Sequence, residues 1–490
     1  MVRIPPPTFI LPRSDVGLRR HEVVRLVVAV LAFAAIYSLV GILRHRDFNS
    51  SVDLAIFNQG VWLLSRLEAP FSSIKGYNIF GDHFHPVIAL FVPFYRLAPG
   101  PETLIAVQGL FFSASIVPVY LFLRRRFSAT PALLLALGYA LFWGLQRAAL
   151  YDVHEFAFAP LLVATAILAL DTRRFGLLWI ACVLLMLTKE DLIPLVTGIG
   201  GYVFLTGDRR LGAALAAVSL MALVVVLRVV IPYMSGLGHY GYTNTYNEVL
   251  QQPWLIPATI VTPEKMRTVG LWLAPFLLLP LRSPLVLLVL PLALERFLSG
   301  TDSHWGTSFH YSAPLAPILA MSAGDGLARL LRGVAGDQKR ERIALAAGIV
   351  ILTLSAILPG RQPAWRLFAF DRYVPGAIER GAPQALSVIP PDASVAAPAA
   401  IAAHLSMRHQ IVLIEPGSTP ASEFIVVHRD VNPWPLQHYS AVQAILDDRL
   451  DNGYEPVFEK DGWTILRRPG LPASQSLRRD DRAKQPRHTR

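Results

Sequence analysis

"VVRLVVAVLAFAAIYSLVGIL" (residues 23–43) decides the class of this chain. A helix needs about 20 consecutive apolar residues to cross a bilayer, and this run supplies them with one charge, Arg25. No small-residue cleavage site follows it, so it reads as an uncleaved first membrane helix and not as a signal peptide. The composition agrees. Hydrophobic residues make up 53% of the 490 and charged ones 16%. A soluble domain carries about 25% charge, so lipid must be the solvent for much of this surface.

Further apolar runs follow at 103–123, 131–146, 156–170, 175–188, 192–206, 211–233, 268–281, 284–298, 310–331 and 344–358. They predict a polytopic α-helical membrane protein with about eleven spans, several of them shorter than a perpendicular helix needs. The membrane part is expected over 23–358, with a first outer loop at 44–102. Within that loop, residues 86–98 hold Pro86 and Pro93 and are too short to span, which suits an interfacial or re-entrant piece. The single cysteine, Cys182, excludes a disulfide framework and a cysteine-based metal site.

Arginine sets the orientation. With residues 1–22 in the cytoplasm, eleven spans place "LRRRF" (123–127), "DTRRF" (171–175), "GDRR" (207–210), Arg282 and "RLLRGVAGDQKRER" (329–342) inside. That is the positive-inside pattern, and it accounts for the net charge of +11 without a nucleic-acid partner. After the last span, residues 360–470 change character. The runs "ASVAAP", "QIVLI", "EFIVVH" and "WTILRR" alternate with helical stretches and predict a small α/β domain outside the cell. Residues 471–490 are polar and basic and read as a disordered tail.

The same parity sends the chemically rich segments to the outer face. "GDHFHP" (81–86) brings Asp82, His83 and His85, and "YDVHEF" (151–156) brings Asp152, His154 and Glu155. Pro86 disfavours helix at His85, and in an extended segment residues two apart face one side. His83, His85 and His154 therefore form one candidate divalent-metal site, against loop-packing hydrogen bonds as the alternative. Lys189, Glu190 and Arg296 sit at helix ends, where charge in a membrane protein is costly and usually functional. Arg147, Lys189 and Arg296 are the membrane-proximal cations, although Glu190 and Asp191 offer Lys189 an internal ion pair. His310 and Tyr311 open the tenth span, and Gln59 lies in the first outer segment. Trp62, Trp143, Tyr151 and Trp305 read as interface anchors.

"SVDLAIFNQGVW", "GDHFHPVIALFVPFYRLAP", "YDVHEFAFAPLL", "LLMLTKEDLIPLVTGIGGYVF" and "HYSAPLAPILA" together resemble the ordered blocks of a bacterial and archaeal membrane family, domain of unknown function 2079. The usual block carries a second acid where this chain has Asn58. The architecture also resembles the GT-C class of membrane glycosyltransferases. That resemblance implies a sugar moved from a polyprenyl-phosphate carrier to an envelope glycan, lipid or protein acceptor on the outer face of the plasma membrane. It also implies a catalytic base at Asp53, ten residues past the first span. Asp53 has a competing reading as a helix N-cap. A transporter or flippase for a lipid-linked or polar solute, and a non-catalytic envelope assembly protein, are the alternative functions. No Walker motif, GxGxxG or CxxC is read here in support of nucleotide-driven or redox chemistry.

Overall fold

A computed structural model describes residues 17–416 and 422–469. The expected tail at 471–490 lies outside them, and residues 20–22 of the N-terminal segment already belong to the first helix, Arg20–Arg46. At 1.5 Å per residue, its 27 residues reach about 40 Å, more than the roughly 30 Å hydrocarbon core. Pro101–Arg124 and Arg209–Ser235 are likewise long and apolar enough to cross. Ala129–Ala140 and Trp143–Leu150 make a fourth if their 43° bend belongs to one span.

Helix length therefore does not establish eleven spans. Ala159–Asp171, Phe175–Met186 and Ile193–Thr206 each extend only about 20 Å. Between 268 and 298 the backbone is broken into short pieces, with Leu277 and Leu278 left-handed and Pro275, Pro280, Pro284 and Pro291 interrupting the hydrogen-bond ladder. Such backbone is tolerated at membrane depth where protein covers it. The covering here includes Leu315–Leu331, a helix buried along almost its whole length. Arg209–Ser235, by contrast, exposes Leu220, Met221, Val224 and Val229, a surface suited to lipid. Trp143 is fully buried, with its indole N–H on the Leu271 carbonyl, so it is not an interface anchor.

The two ends of the bundle differ. At one end, arginines are tied to buried acids. Glu22 takes Arg124 at 2.7 Å, and Asp171 takes Arg125 at 2.8 Å and Arg126 at 2.7 Å. Asp325 takes Arg329 at 2.7 Å and the Ser283 hydroxyl at 2.8 Å. Sequence alone treats these arginines as loop charges. Arg329 meets Asp325 one helical turn away, but Arg124, Arg125 and Arg126 find their acids in distant segments, so most of the knot is invisible before folding. The other end of the bundle carries the histidines and acids singled out above.

Residues beyond 390 build a five-stranded sheet in the order Ile411–Leu413, Val395–Ala397, Phe424–His428, Trp463–Arg467, Glu455–Lys460. The first three strands are parallel and the last two antiparallel, with Val426 opposite Ile465. The four apolar runs fall on strands; Glu455–Lys460, mostly exposed, gave no apolar signal. This sheet domain rests on the helix Val52–Ser65. Asn58 donates to Ser406 Oγ at 2.9 Å and accepts from the Tyr95 hydroxyl at 2.8 Å. Gln59 donates to the Arg408 carbonyl at 2.9 Å. One face of that helix is thus clamped to the sheet domain, while its N-terminus is left at the site.

Candidate active site

Helix Val52–Ser65 starts one residue before Asp53. Ser51 is its N-cap, and its hydroxyl accepts the Asp53 N–H at 3.3 Å. The cap role is taken, which frees the Asp53 carboxylate to point outward. Its Oδ2 accepts from the Tyr151 hydroxyl at 3.2 Å and lies 3.5 Å from His154 Nε2. Burial works to raise the Asp53 pKa, but His154 and Lys75 overcome it and hold the carboxyl at about 2. The same contact keeps His154 above the usual histidine value, against the opposing effect of burial. Asp53 is ionised, and its side chain is 31% exposed.

Asp152 and Gln108 stand behind this pair. Asp152 accepts from Ser51 N–H at 2.5 Å and lies 3.3 Å from Arg44, so it fixes the helix start to the end of the first span. Gln108 accepts the His154 N–H at 3.1 Å.

The "GDHFHP" segment is placed by its glycine. A Cβ on Gly81 would lie 2.2 Å from the backbone nitrogen of Ser235, so only glycine lets the end of helix Arg209–Ser235 pack here. Asp82 then takes Lys75 at 3.0 Å and the Tyr242 hydroxyl at 2.7 Å. His83 Nδ1 is 2.5 Å from Glu190 Oε1, and the Phe84 N–H donates to Glu190 Oε2 at 2.8 Å. Burial and Lys189 oppose the His83 cation, yet Glu190 and Asp82 prevail and its pKa is raised. His85 is pushed the other way by burial, to about 4, and neither of its nitrogens has a hydrogen-bond partner.

These groups surround a cavity of about 240 Å³. Asp53, Asp82, His83, His85, His154, Glu155, Lys189, His310 and Tyr311 all line it, so the two sequence clusters do share one site. Lys189 is spent on Glu155 at 3.2 Å and Asp191 at 3.4 Å; of its two expected partners Asp191 is met, while Glu190 turns to His83. Arg296 lies behind the lining, 3.9 Å from Glu295 and over the Tyr311 ring. It is 1% exposed, and among the described residues none of its three guanidinium nitrogens has a hydrogen-bond partner.

Other expectations land elsewhere. Gln59 belongs to the clamp on the sheet domain, and Arg147 is outside the cavity lining. Asp152 and Glu190 act through their neighbours. Among the described residues no three His, Cys, Asp or Glu side chains are grouped to hold a metal ion. His83 is spent on Glu190 and His154 on Asp53, while His85 faces the Phe57 and Phe80 rings. Tyr151 is a partner of Asp53, not a simple interface anchor.

Sequence reading missed Lys75, Tyr240, Tyr242 and Tyr246, which complete the walls. It also passed over "GLGHYG" (236–241), which does have GxGxxG spacing but follows a helix, not a strand, so it supports no dinucleotide loop. Its left-handed Gly236 and Gly238 turn the chain so that Tyr240 reaches Glu190 and Tyr242 reaches Asp82.

A family model described as a predicted membrane protein, DUF2079, matches residues 44–465. The chain belongs to this family. No curated protein matches it in sequence. Two crystal structures of ArnT from Cupriavidus metallidurans share the fold of this DUF2079 chain. The one bound to undecaprenyl phosphate aligns with a TM-score of 0.56 and 12% identity, over 92% of this chain and 98% of that one. The apo state aligns with a TM-score of 0.51 and 13% identity, over 91% and 97%. At such identities the likeness is one of fold, and it bears out the GT-C architecture read from the sequence. The DUF2079 chain is a membrane protein.

Proposed function

We propose that this DUF2079 protein is a GT-C-type glycosyltransferase. It moves a sugar from a polyprenyl-phosphate carrier to an envelope acceptor on the outer face of the plasma membrane. The chain crosses the membrane about eleven times, with its N-terminus in the cytoplasm and its sheet domain outside. One pairing carries the reading. An ionised carboxylate, Asp53, opens to a cavity backed by a buried guanidinium, Arg296, that lacks hydrogen bonds.

A buried cation whose only ionic partner is 3.9 Å away and whose nitrogens make no hydrogen bond is costly and suits an anionic ligand. Sugar transfer from a lipid phosphate needs this pair of functions. The carboxylate takes the proton of the acceptor hydroxyl. The cation stabilises the departing phosphate. A fold shared with ArnT, which was crystallised with undecaprenyl phosphate, supports a phosphate of that class. His154 and Tyr151 position Asp53, and Lys75 and Lys189 keep the cavity from being purely acidic.

The test is direct binding. Purified protein in lipid nanodiscs is titrated with undecaprenyl phosphate and, as a control, with undecaprenol. The reading predicts saturable binding of the phosphate that undecaprenol does not match. Equal binding of the two, or none, overturns it.

A further inference from the structure

A second cavity, of about 460 Å³, lies between the membrane part and the sheet domain. It shares Asp53, Tyr151 and Phe309 with the charged cavity, so the carboxylate can be reached from both. We propose that this cleft is the acceptor subsite and binds the neutral, hydroxyl-rich face of a glycan, with Trp434 as its platform. The inference rests on the glycosyltransferase reading.

Charge separates the two cavities. The first mixes several acids with Lys75, Lys189 and five histidines. The second has one lining cation, Arg44, and it is already engaged. Its Nε donates to the Asn49 carbonyl at 2.8 Å, and its Nη1 donates to the Leu150 carbonyl at 2.9 Å and pairs with Asp152 at 3.3 Å. With that cation spent and Asp53 ionised, the cleft repels an anion and leaves the phosphate donor to the first cavity. Its remaining lining mixes four small polar residues with Val52, Ala399 and Ala400, and adds three aromatic rings. Aromatic faces beside amides and hydroxyls suit a sugar, which offers C–H faces and hydroxyl edges.

Trp434 is held in place yet open. Its backbone N–H donates to Asn432 Oδ1 at 3.0 Å, and its backbone carbonyl accepts the Ala399 N–H at 3.0 Å, while 46% of the residue is exposed. The indole has only two side-chain torsions to fix, so it costs little ordering entropy on binding. The reaction then has its parts on two sides of one carboxylate. The acceptor oxygen forms a bond to the anomeric carbon of the donor sugar. The bond from that carbon to the phosphate oxygen breaks, and the electron pair leaves with the phosphate. The acceptor proton passes to the Asp53 carboxylate.

The experiment uses full-length protein in nanodiscs, with chitotriose, mannotriose and cellotriose as probes and undecaprenyl phosphate titrated separately. At least one trisaccharide should bind saturably. Trp434→Ala should weaken it by about tenfold or more, as loss of an aromatic anchor does. Trp434→Phe should retain most of the affinity, and undecaprenyl phosphate should bind both variants as it binds the parent. No trisaccharide binding, or binding that Trp434→Ala leaves unchanged, overturns the cleft assignment while the donor reading stands. If undecaprenyl phosphate fails to bind the parent protein, the glycosyltransferase reading fails, and the acceptor role falls with it whatever the trisaccharides do.

Discussion

His154 Nε2 lies 3.5 Å from Asp53 Oδ2, the Asp152 carbonyl meets the imidazole Nδ1 from behind at 3.1 Å, and Gln108 Oε1 accepts the backbone N–H of His154. Burial alone would raise the Asp53 pKa; His154 does most to lower it. A positioning role for His154 therefore has a signature in pH. In His154→Ala the acid limb of the rate profile should move upward from about 2, towards or above the ordinary aspartate value of 3.8. A pH–rate profile of sugar release checks this. A lower rate with an unmoved limb would make His154 structural only.

His83 and Glu190 make a pH window for stability. The folded-state His83 pKa is raised above 6.5, so its contribution is complete below that value and is lost as pH rises through the folded pKa. For Glu190, burial pushes up but His83 and Lys189 hold the pKa below 4.5. Its contribution is present above 4.5 and is lost as pH falls through the lowered folded value. Thermal stability in detergent should therefore peak between these limits. Glu190→Ala should cost roughly 3–5 kcal/mol, because it strands a buried histidine cation. It should also flatten the decline on the alkaline side, and thermal melts across pH measure both effects.

Arg296 predicts an unusual pattern. Replacing both members of a buried ion pair by uncharged side chains of similar volume is often neutral or stabilising, and Arg296 forms such a pair with Glu295, 3.9 Å away. Arg296→Met combined with Glu295→Gln should melt at or above the parent temperature without ligand, yet lose undecaprenyl phosphate binding by about tenfold or more. A destabilised variant with normal binding would place the guanidinium in folding instead.

Orientation is checked by thiol labelling in a Cys182→Ala background. Ser308 and Gly207 are both exposed and belong to opposite sides of the proposed topology. Ser308→Cys should react with an impermeant maleimide in intact cells, and Gly207→Cys only after lysis. The reverse order would turn the site towards the cytoplasm.

Much of this site is legible in the sequence because membrane proteins sort residues by side. Asp82, His83, His85, His154 and Lys189 stand out among apolar runs, and all reach one cavity. What escapes notice is pairing at a distance. Nothing in "FNQG" reveals that Gln59 will hold the Arg408 carbonyl, 349 residues away, and so leave the site for the domain joint. The cap on helix Val52–Ser65 is missed by one or two residues, the usual uncertainty of a helix start, and that error decides whether Asp53 is occupied or free. The number of membrane passes is least legible. Proline-broken half-helices have the composition of spans without their length.

If Asp53 takes the acceptor proton, the near-isosteric amide at that position should block transfer. Asn leaves the Ser51 cap and the helix start intact but cannot accept the proton. Native membranes, which supply the acceptor, are incubated with a synthetic undecaprenyl-phosphate sugar, and release of undecaprenyl phosphate is followed for parent and Asp53→Asn. The account predicts a fall of roughly 10²–10⁴ in the release rate, with undecaprenyl phosphate binding retained. Release at the parental rate by the Asn variant would contradict it.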